Sequence, residues 1–250
     1  MCLIAVAHRV SEAFPLVIAA NRDEFYDRPA LPAAPWKEDR RVVGGRDLRA
    51  GGSWLAVRDG GRFAAVTNIR GAKADGPSRG SLVSQFVLSD VAAMSFANDL
   101  DRHAYAGFHL IVGDGTTVAH VTNANDAPPS ALPPGSIFAV SNGVPGEDWP
   151  KVELARDAMA NVLAPSPRVR GEGPRSGGEG RHSRIPELLL DFLTTRRGGP
   201  LEQEVFVVST AYGTRSSTVI TVDGNGVVDV VERTFTAPPL AAAAAAADRP

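Results

Sequence analysis

The 250-residue chain has a single cysteine, Cys2, and that scarcity excludes an intrachain disulfide and any zinc site built on several thiolates. Its five histidines, His8, His103, His109, His120 and His182, include no HExxH spacing. No metal and no cofactor is called for. Apolar runs are short. None approaches the ~20 residues of a membrane-spanning helix. The longest near the start, residues 13–20, contains Pro15 and follows no basic segment, which argues against a secretory leader. Charge of one sign is also lacking: 26 basic residues face 28 acidic ones, so the basic footprint of a nucleic-acid binder is absent. With 44% hydrophobic residues the chain can bury a sizeable core. The expectation is a globular protein of a reducing compartment, placed in the cytoplasm, with no membrane span and no nucleic-acid partner.

What is present is a series of short apolar runs punctuated by turns. Residues 2–7 and 16–20 read as neighbouring strands; 54–57 and 63–67 flank Arg58-Asp59-Gly60-Gly61; 108–112 and 117–121 flank Gly113-Asp114-Gly115. Residues 137–140, 205–208, 218–222 and 227–231 complete the strand set, and the Pro-rich stretch 28–35 reads as an extended loop. Helical spacing of apolar residues covers 81–89, 90–100, 149–163 and 185–194, with Asp148 and Ser183 as candidate caps. Tight links between strands predict mainly antiparallel sheets with helices packed outside, an α+β architecture. Residues 165–184, rich in Gly and Arg, read as a disordered insertion, and 237–250 as a low-complexity Ala-rich tail; 2–236 otherwise form one domain.

The candidate chemistry begins with Cys2. Removal of Met1 would leave a thiol beside a free α-amine, a group that titrates near ~8 and can serve as base for its own side chain. Asn21-Arg22-Asp23-Glu24 follows the second apolar run. If the first two strands pair antiparallel, Asp23 comes near Cys2 and can orient its amine or thiol. Asn68 and Asn142 each follow a strand, where an amide can donate to a developing oxyanion. Arg215, in Tyr212-Gly213-Thr214-Arg215-Ser216-Ser217-Thr218, can hold a carboxylate or tune a thiol. Singly each is an ordinary turn residue; together with Cys2 they suggest a site.

The segments Met1-Cys2-Leu3-Ile4, Ala-Ala-Asn-Arg-Asp-Glu-Phe-Tyr at 19–26, Gly-Gly-Ser-Trp-Leu at 51–55, Ala-Ala-Val-Thr-Asn at 64–68, Arg-Gly-Ser-Leu-Val at 79–83, Ser-Asn-Gly at 141–143 and the stretch 212–218 resemble the NRDE family, that of transport and Golgi organisation protein 2. The resemblance implies an N-terminal-nucleophile hydrolase-like fold, a four-layer α-β-β-α sandwich. By more distant similarity to penicillin V acylase and bile-salt hydrolase, it implies Cys2 as nucleophile and base, Asp23 orienting it, Asn68 and Asn142 at the oxyanion, and Arg215 completing the site. Those amidases carry Arg where this chain has Ala20, and the arginine here is Arg22; Asn21 and Arg22 are the candidate substrate contacts. The implied activity is cleavage of a linear amide of a small or acylated molecule. The rival is a non-catalytic carrier of haem or an acylated ligand in the same cleft.

Overall fold

Leu3–His8 (β1) folds back on Leu16–Phe25 (β2), and residues 3–7 and 16–20 within them are apolar because each stretch is covered on two sides. In the computed structural model, which describes residues 2–71, 76–147, 149–164 and 183–238, β1 and β2 lie at the centre of a five-stranded sheet. Ser136–Val140 (β10) flanks β1; Tyr212–Val222 (β11) and Val228–Thr234 (β12) continue beyond β2. A second sheet runs, in order, Ala30–Pro35 (β3), Val42–Asp47 (β4), Leu55–Arg58 (β5), Arg62–Asn68 (β6), Phe108–Asp114 (β7), Val118–Thr122 (β8) and Ser130–Ala131 (β9). Every pairing in both sheets is antiparallel.

The period-two alternation of a strand assigns its side chains to two cores. On β1 and β2, Ile4, Val6, Ile18 and Ala20 face the second sheet and meet Leu55, Val57, Phe63, Ala65 and Ile111. Leu3, Ala5, Ala7, Val17 and Ala19 face outward against Pro150–Leu163 (α3) and Ile185–Leu193 (α4), through Val152, Ala155, Met159, Leu189 and Leu193. The second sheet is covered likewise: Ala64, Val66, Leu110 and Val112 pack on Leu82, Phe86 and Ala93 of Gly80–Val87 (α1) and Ala93–Asp99 (α2). The result is α+β in four layers, helix, sheet, sheet, helix, as the motif resemblance implies. Fully burying one such aliphatic or aromatic side chain stabilises by about 1.5–3 kcal/mol.

Three local readings need correction. The second strand does not end at residue 20; it continues through Asn21–Glu24 to Phe25, because β11 pairs with β2 over its whole length, from Leu16↔Val222 to Phe25↔Tyr212. Residues 30–35 form an edge strand, where prolines are tolerated because no partner needs their missing N–H. Residues 205–208 make no strand, only the single bridge Val208↔Gly213. The cap read at Asp148 lies outside the described residues, as do the insertion apart from residues 183–184 and the tail apart from 237–238. Among the described residues no helix is long and apolar enough to cross a membrane.

Candidate functional site

Strand register brings the first residues to one end of the sandwich. On β1 the last rungs are Leu3↔Asn21 towards β2 and Ile4↔Val140 towards β10. Carried on in the same register, Cys2 falls between Arg22 on one side and Asn142 on the other, with Asp23 one residue beyond Arg22 on β2. Ser141 secures this end, its Oγ donating to the Cys2 carbonyl at 2.6 Å. Cys2 is half-buried and faces a cavity of about 560 Å³ between the strand ends of the two sheets. Arg22, Asp23, Glu24, Trp54, Asn68, Arg79, Asn142 and Tyr212 are among its lining.

Asp23 is buried. Thr214 Oγ1 donates to its Oδ1 at 2.7 Å and in turn accepts the Val207 N–H at 2.9 Å; the Tyr212 hydroxyl donates to the Asp23 carbonyl at 2.6 Å. Burial pushes the Asp23 carboxyl above its ordinary value, and the amino terminus, Lys151, Thr214 and Arg22 oppose that rise. Arg22 is buried as well, its guanidinium 4.3 Å from the centre of the Trp54 ring and 3.8 Å from Asp47. Desolvation lowers its proton affinity, against the pull of Cys2, Glu24 and Asp47. Asp47 also accepts Arg28 Nε at 2.7 Å and the amides of Arg49 and Ala50 at 2.9 Å each.

Asn142 does not offer its side chain to the cavity as expected. Its Nδ2 donates to Thr67 Oγ1 at 2.7 Å and to the Asn68 carbonyl, so both amide protons are engaged. Its own carbonyl accepts the Arg70 N–H at 2.8 Å. Asn142 therefore ties the end of β10 to the end of β6 and closes the two sheets behind Cys2. The oxyanion donor read at Asn142 is thereby corrected. Asn68, by contrast, is exposed, and its side-chain amide forms no hydrogen bond among the described residues.

Two expected site residues, Asn21 and Arg215, do not line the cavity. Asn21 shares the helix-facing side of β2 with Val17 and Ala19. Its Nδ2 donates to the Leu193 and Val205 carbonyls at 2.8 Å each, and Oδ1 accepts from Ser217 at 2.6 Å. Every polar atom of that amide is committed to the scaffold, so the substrate contact read there is corrected. Arg215 sits at a bulge in β11, and its Nη1 donates to the carbonyls of Phe25 and Tyr26 at 3.0 and 2.8 Å. It fixes the chain that leaves β2 rather than facing Cys2. Four of the histidines, side chains that could ligate a haem iron, do not line this cavity: His8 lies by the opposite turns, His103 is exposed, and His109 and His120 bond each other beside Gly143.

Sequence reasoning gave no role to Trp54, Arg79 or Lys151. The first two lie in quoted motifs whose purpose becomes physical here. Gly52 has φ +75°, and a Cβ there would stand 2.4 Å from the Gly80 carbonyl oxygen. Ser53 N–H donates to that same carbonyl at 3.1 Å. Only glycine lets the 51–55 segment approach the start of α1 so closely, and this approach fixes Trp54 under Arg22. Arg79, at the start of α1, donates to the Gly107 carbonyl at 3.1 Å, with its proton affinity lowered by burial. Lys151 lies in the first turn of α3, where a lysine ordinarily reads as solvated, yet it is fully buried.

A family model described as Transport and Golgi organisation 2 matches residues 1–237. The Transport and Golgi organization protein 2 homolog of Bos taurus is 32% identical over 251 residues, covering 89% of this chain and 87% of the relative. The human homolog is 30% identical over 246 residues with the same coverage, and the Drosophila melanogaster protein 27% over 269 residues, covering 94% and 93%. Among solved structures, the chain is similar to a Caenorhabditis elegans ortholog of N-acylethanolamine-hydrolyzing acid amidase, at 13% identity and a TM-score of 0.45, over 88% of this chain and 92% of that one. It is also similar to conjugated bile acid hydrolase from Clostridium perfringens, at 8% identity and 0.44, over 95% and 97%.

Proposed function

The chain belongs to the Transport and Golgi organisation 2 family, and we propose that this member hydrolyses a linear amide bond of a small or acylated molecule, with Cys2 as nucleophile. The observation that carries the reading is the strand register, which sets residue 2 between Arg22 and Asn142 and one rung from Asp23, at a cavity of small-molecule size.

In the proposed reaction Met1 has been removed. The α-amine of Cys2 takes the thiol proton as Sγ bonds to the substrate carbonyl carbon, and the Asn68 side chain donates to the resulting oxyanion. The C–N bond then breaks, the protonated amine gives its proton to the leaving nitrogen, and a thioester remains on Cys2. Water, deprotonated by the same amine, attacks the thioester, releasing the acid and restoring the thiol. Asp23 holds the amine in place. Arg22, backed by Trp54, binds a polar group of the substrate. A positioned base contributes roughly 10²–10⁴-fold to such a step, and one oxyanion donor roughly 10²–10³-fold.

The test combines the mass of the purified protein with turnover of a panel of N-acyl amides by wild type and Cys2→Ala. The expected result is loss of Met1 and release of the acid by wild type only. Retention of Met1 in a protein that still cleaves an amide would remove the amine from the mechanism. Equal binding of haemin or an acylated ligand by wild type and Cys2→Ala, with no amide cleaved by either, would make the chain a carrier instead.

A further inference from the structure

Arg22, Arg28, Arg70 and Arg79 line the cavity beside Cys2 together with Asp23, Glu24 and Asp47. Two of these arginines are closely paired. Arg28 Nε lies 2.7 Å from Asp47 and 3.6 Å from Glu24, and Arg70 pairs with Glu202. Arg79 is different. It forms no ion pair among the described residues, and its hydrogen bond from Nη1 to the Gly107 carbonyl, at 3.1 Å, leaves Nε and Nη2 without a protein acceptor there.

Arg22 is in a similar condition although it is buried. Trp54 covers one face of its guanidinium, its ion pair with Asp47 spans 3.8 Å, and it makes no hydrogen bond among the described residues. A guanidinium carries five N–H donors and keeps its charge at neutral pH, so donors left open on a cavity wall favour an anionic acceptor from outside the protein. The charge of Cys2 raises the proton affinity of both arginines, which places both within electrostatic reach of the thiol. The start of α1, just after Arg79, is pinned by the Ser53 N–H on the Gly80 carbonyl, so the guanidinium stands on a fixed element. Phe25, 53% exposed and edge-on to Tyr212 with ring centres 5.2 Å apart, adds an apolar surface to the same cavity.

We propose that Arg79, with Arg22 as a second donor, is the specificity-determining residue of this cavity, and that the molecule taken there carries a carboxylate. The carboxylate belongs to the amine half of an N-acyl amino acid or to the acyl half of a dicarboxylic acid monoamide. That the molecule is an amide rests on the hydrolase reading above; the binding of a carboxylate at Arg79 does not.

The experiment is isothermal titration calorimetry on the full chain carrying Cys2→Ala, which stops turnover. N-octanoylglycine is compared with its neutral amide, N-octanoylglycinamide, and the mono-octylamide of succinic acid with its methyl ester. In at least one pair the carboxylate is expected to bind about 10–100-fold more tightly than its neutral partner, the worth of a hydrogen bond to a charged group. The pair that shows this preference identifies the half that carries the charge. Arg79→Gln is expected to abolish the preference and Arg79→Lys to keep part of it; Arg79→Met serves if the Gln variant does not fold. An arginine needed only to tie α1 to Gly107 would lower the melting temperature and leave the preference intact. Equal binding within both pairs, no binding of either carboxylate, or an undiminished preference without Arg79 would overturn the proposal. If the preference behaves as expected while the chain with Cys2 intact releases acid from none of these amides, the anion site stands and the hydrolase reading fails.

Discussion

The Asn142 side chain donates to the Thr67 hydroxyl at 2.7 Å, a bond that crosses from one sheet to the other at the end where Cys2 lies. With the second amide proton on the Asn68 carbonyl and the Arg70 N–H on the Asn142 carbonyl, one residue joins both sheets behind the cavity. Asn142→Ala removes two of these bonds and strands their acceptors. The expected loss is about 1–3 kcal/mol of unfolding free energy, measured in urea. Asn142→Asp, which cannot donate, is expected to be no better.

Asn21 offers the complementary case. Its amide bonds Leu193, Val205 and Ser217 on the face away from the cavity. Asn21→Ala is expected to lower stability by about 1–3 kcal/mol while leaving the rate of Cys2 alkylation by iodoacetamide unchanged. A large change in that rate would mean that Asn21 acts on the site after all.

Gly52→Ala should fail for a backbone reason. The substitution forces a Cβ to 2.4 Å from the Gly80 carbonyl at a φ of +75°. The expected cost is about 1–3 kcal/mol in stability, with brighter exposure of Trp54 to an aqueous quencher as the 51–55 segment lifts from α1.

The buried histidine pair sets an acid limit. His109 Nε2 donates to the Gly143 carbonyl at 2.8 Å, so its Nδ1 accepts the His120 Nε2–H at 3.2 Å, and both rings are neutral. Burial pushes His120 down to about 3 from an ordinary 6.5, and lowers His109 as well. An unfolded chain takes up these protons below pH 6.5 and the fold does not, so their stabilising effect is present above 6.5 and lost as the pH falls towards 3. For His120 alone the loss at pH 5 is about 2 kcal/mol. Urea midpoints at pH 7.5 and 5 measure it, and His120→Gln is expected to flatten the difference.

How much of this is legible in sequence depends on which physical signal each residue carries. Apolar runs such as those of β1 and β7 identify themselves, because a strand covered on both faces needs no polar alternation. The continuation of β2 through Asn21–Glu24 does not, since its cause is the long pairing with β11, remote in sequence. β3 and β4 are hidden by Pro32, Pro35, Gly44 and Gly45. At the site, Cys2, Arg22, Asp23 and Asn68 are legible as polar groups at strand ends and do line the cavity. Asn21 is misassigned although its alternation with Val17 and Ala19 gives the correct face. Arg215 and Asn142 are misassigned because a polar side chain can be consumed by backbone carbonyls that only tertiary structure brings near. Lys151 is missed for the opposite reason: its charge suggests solvent, and nothing local announces that α3 buries it.

The central claim is that Cys2 carries the acyl group during hydrolysis. Its most direct test is peptide-mapped mass spectrometry of the protein quenched in acid during turnover of an N-acyl amide. The account predicts an N-terminal peptide that lacks Met1, begins at Cys2 and bears one thioester-linked acyl group, which disappears when the substrate is exhausted. An acyl group on another residue, or turnover with Cys2 unmodified and Met1 in place, would contradict it.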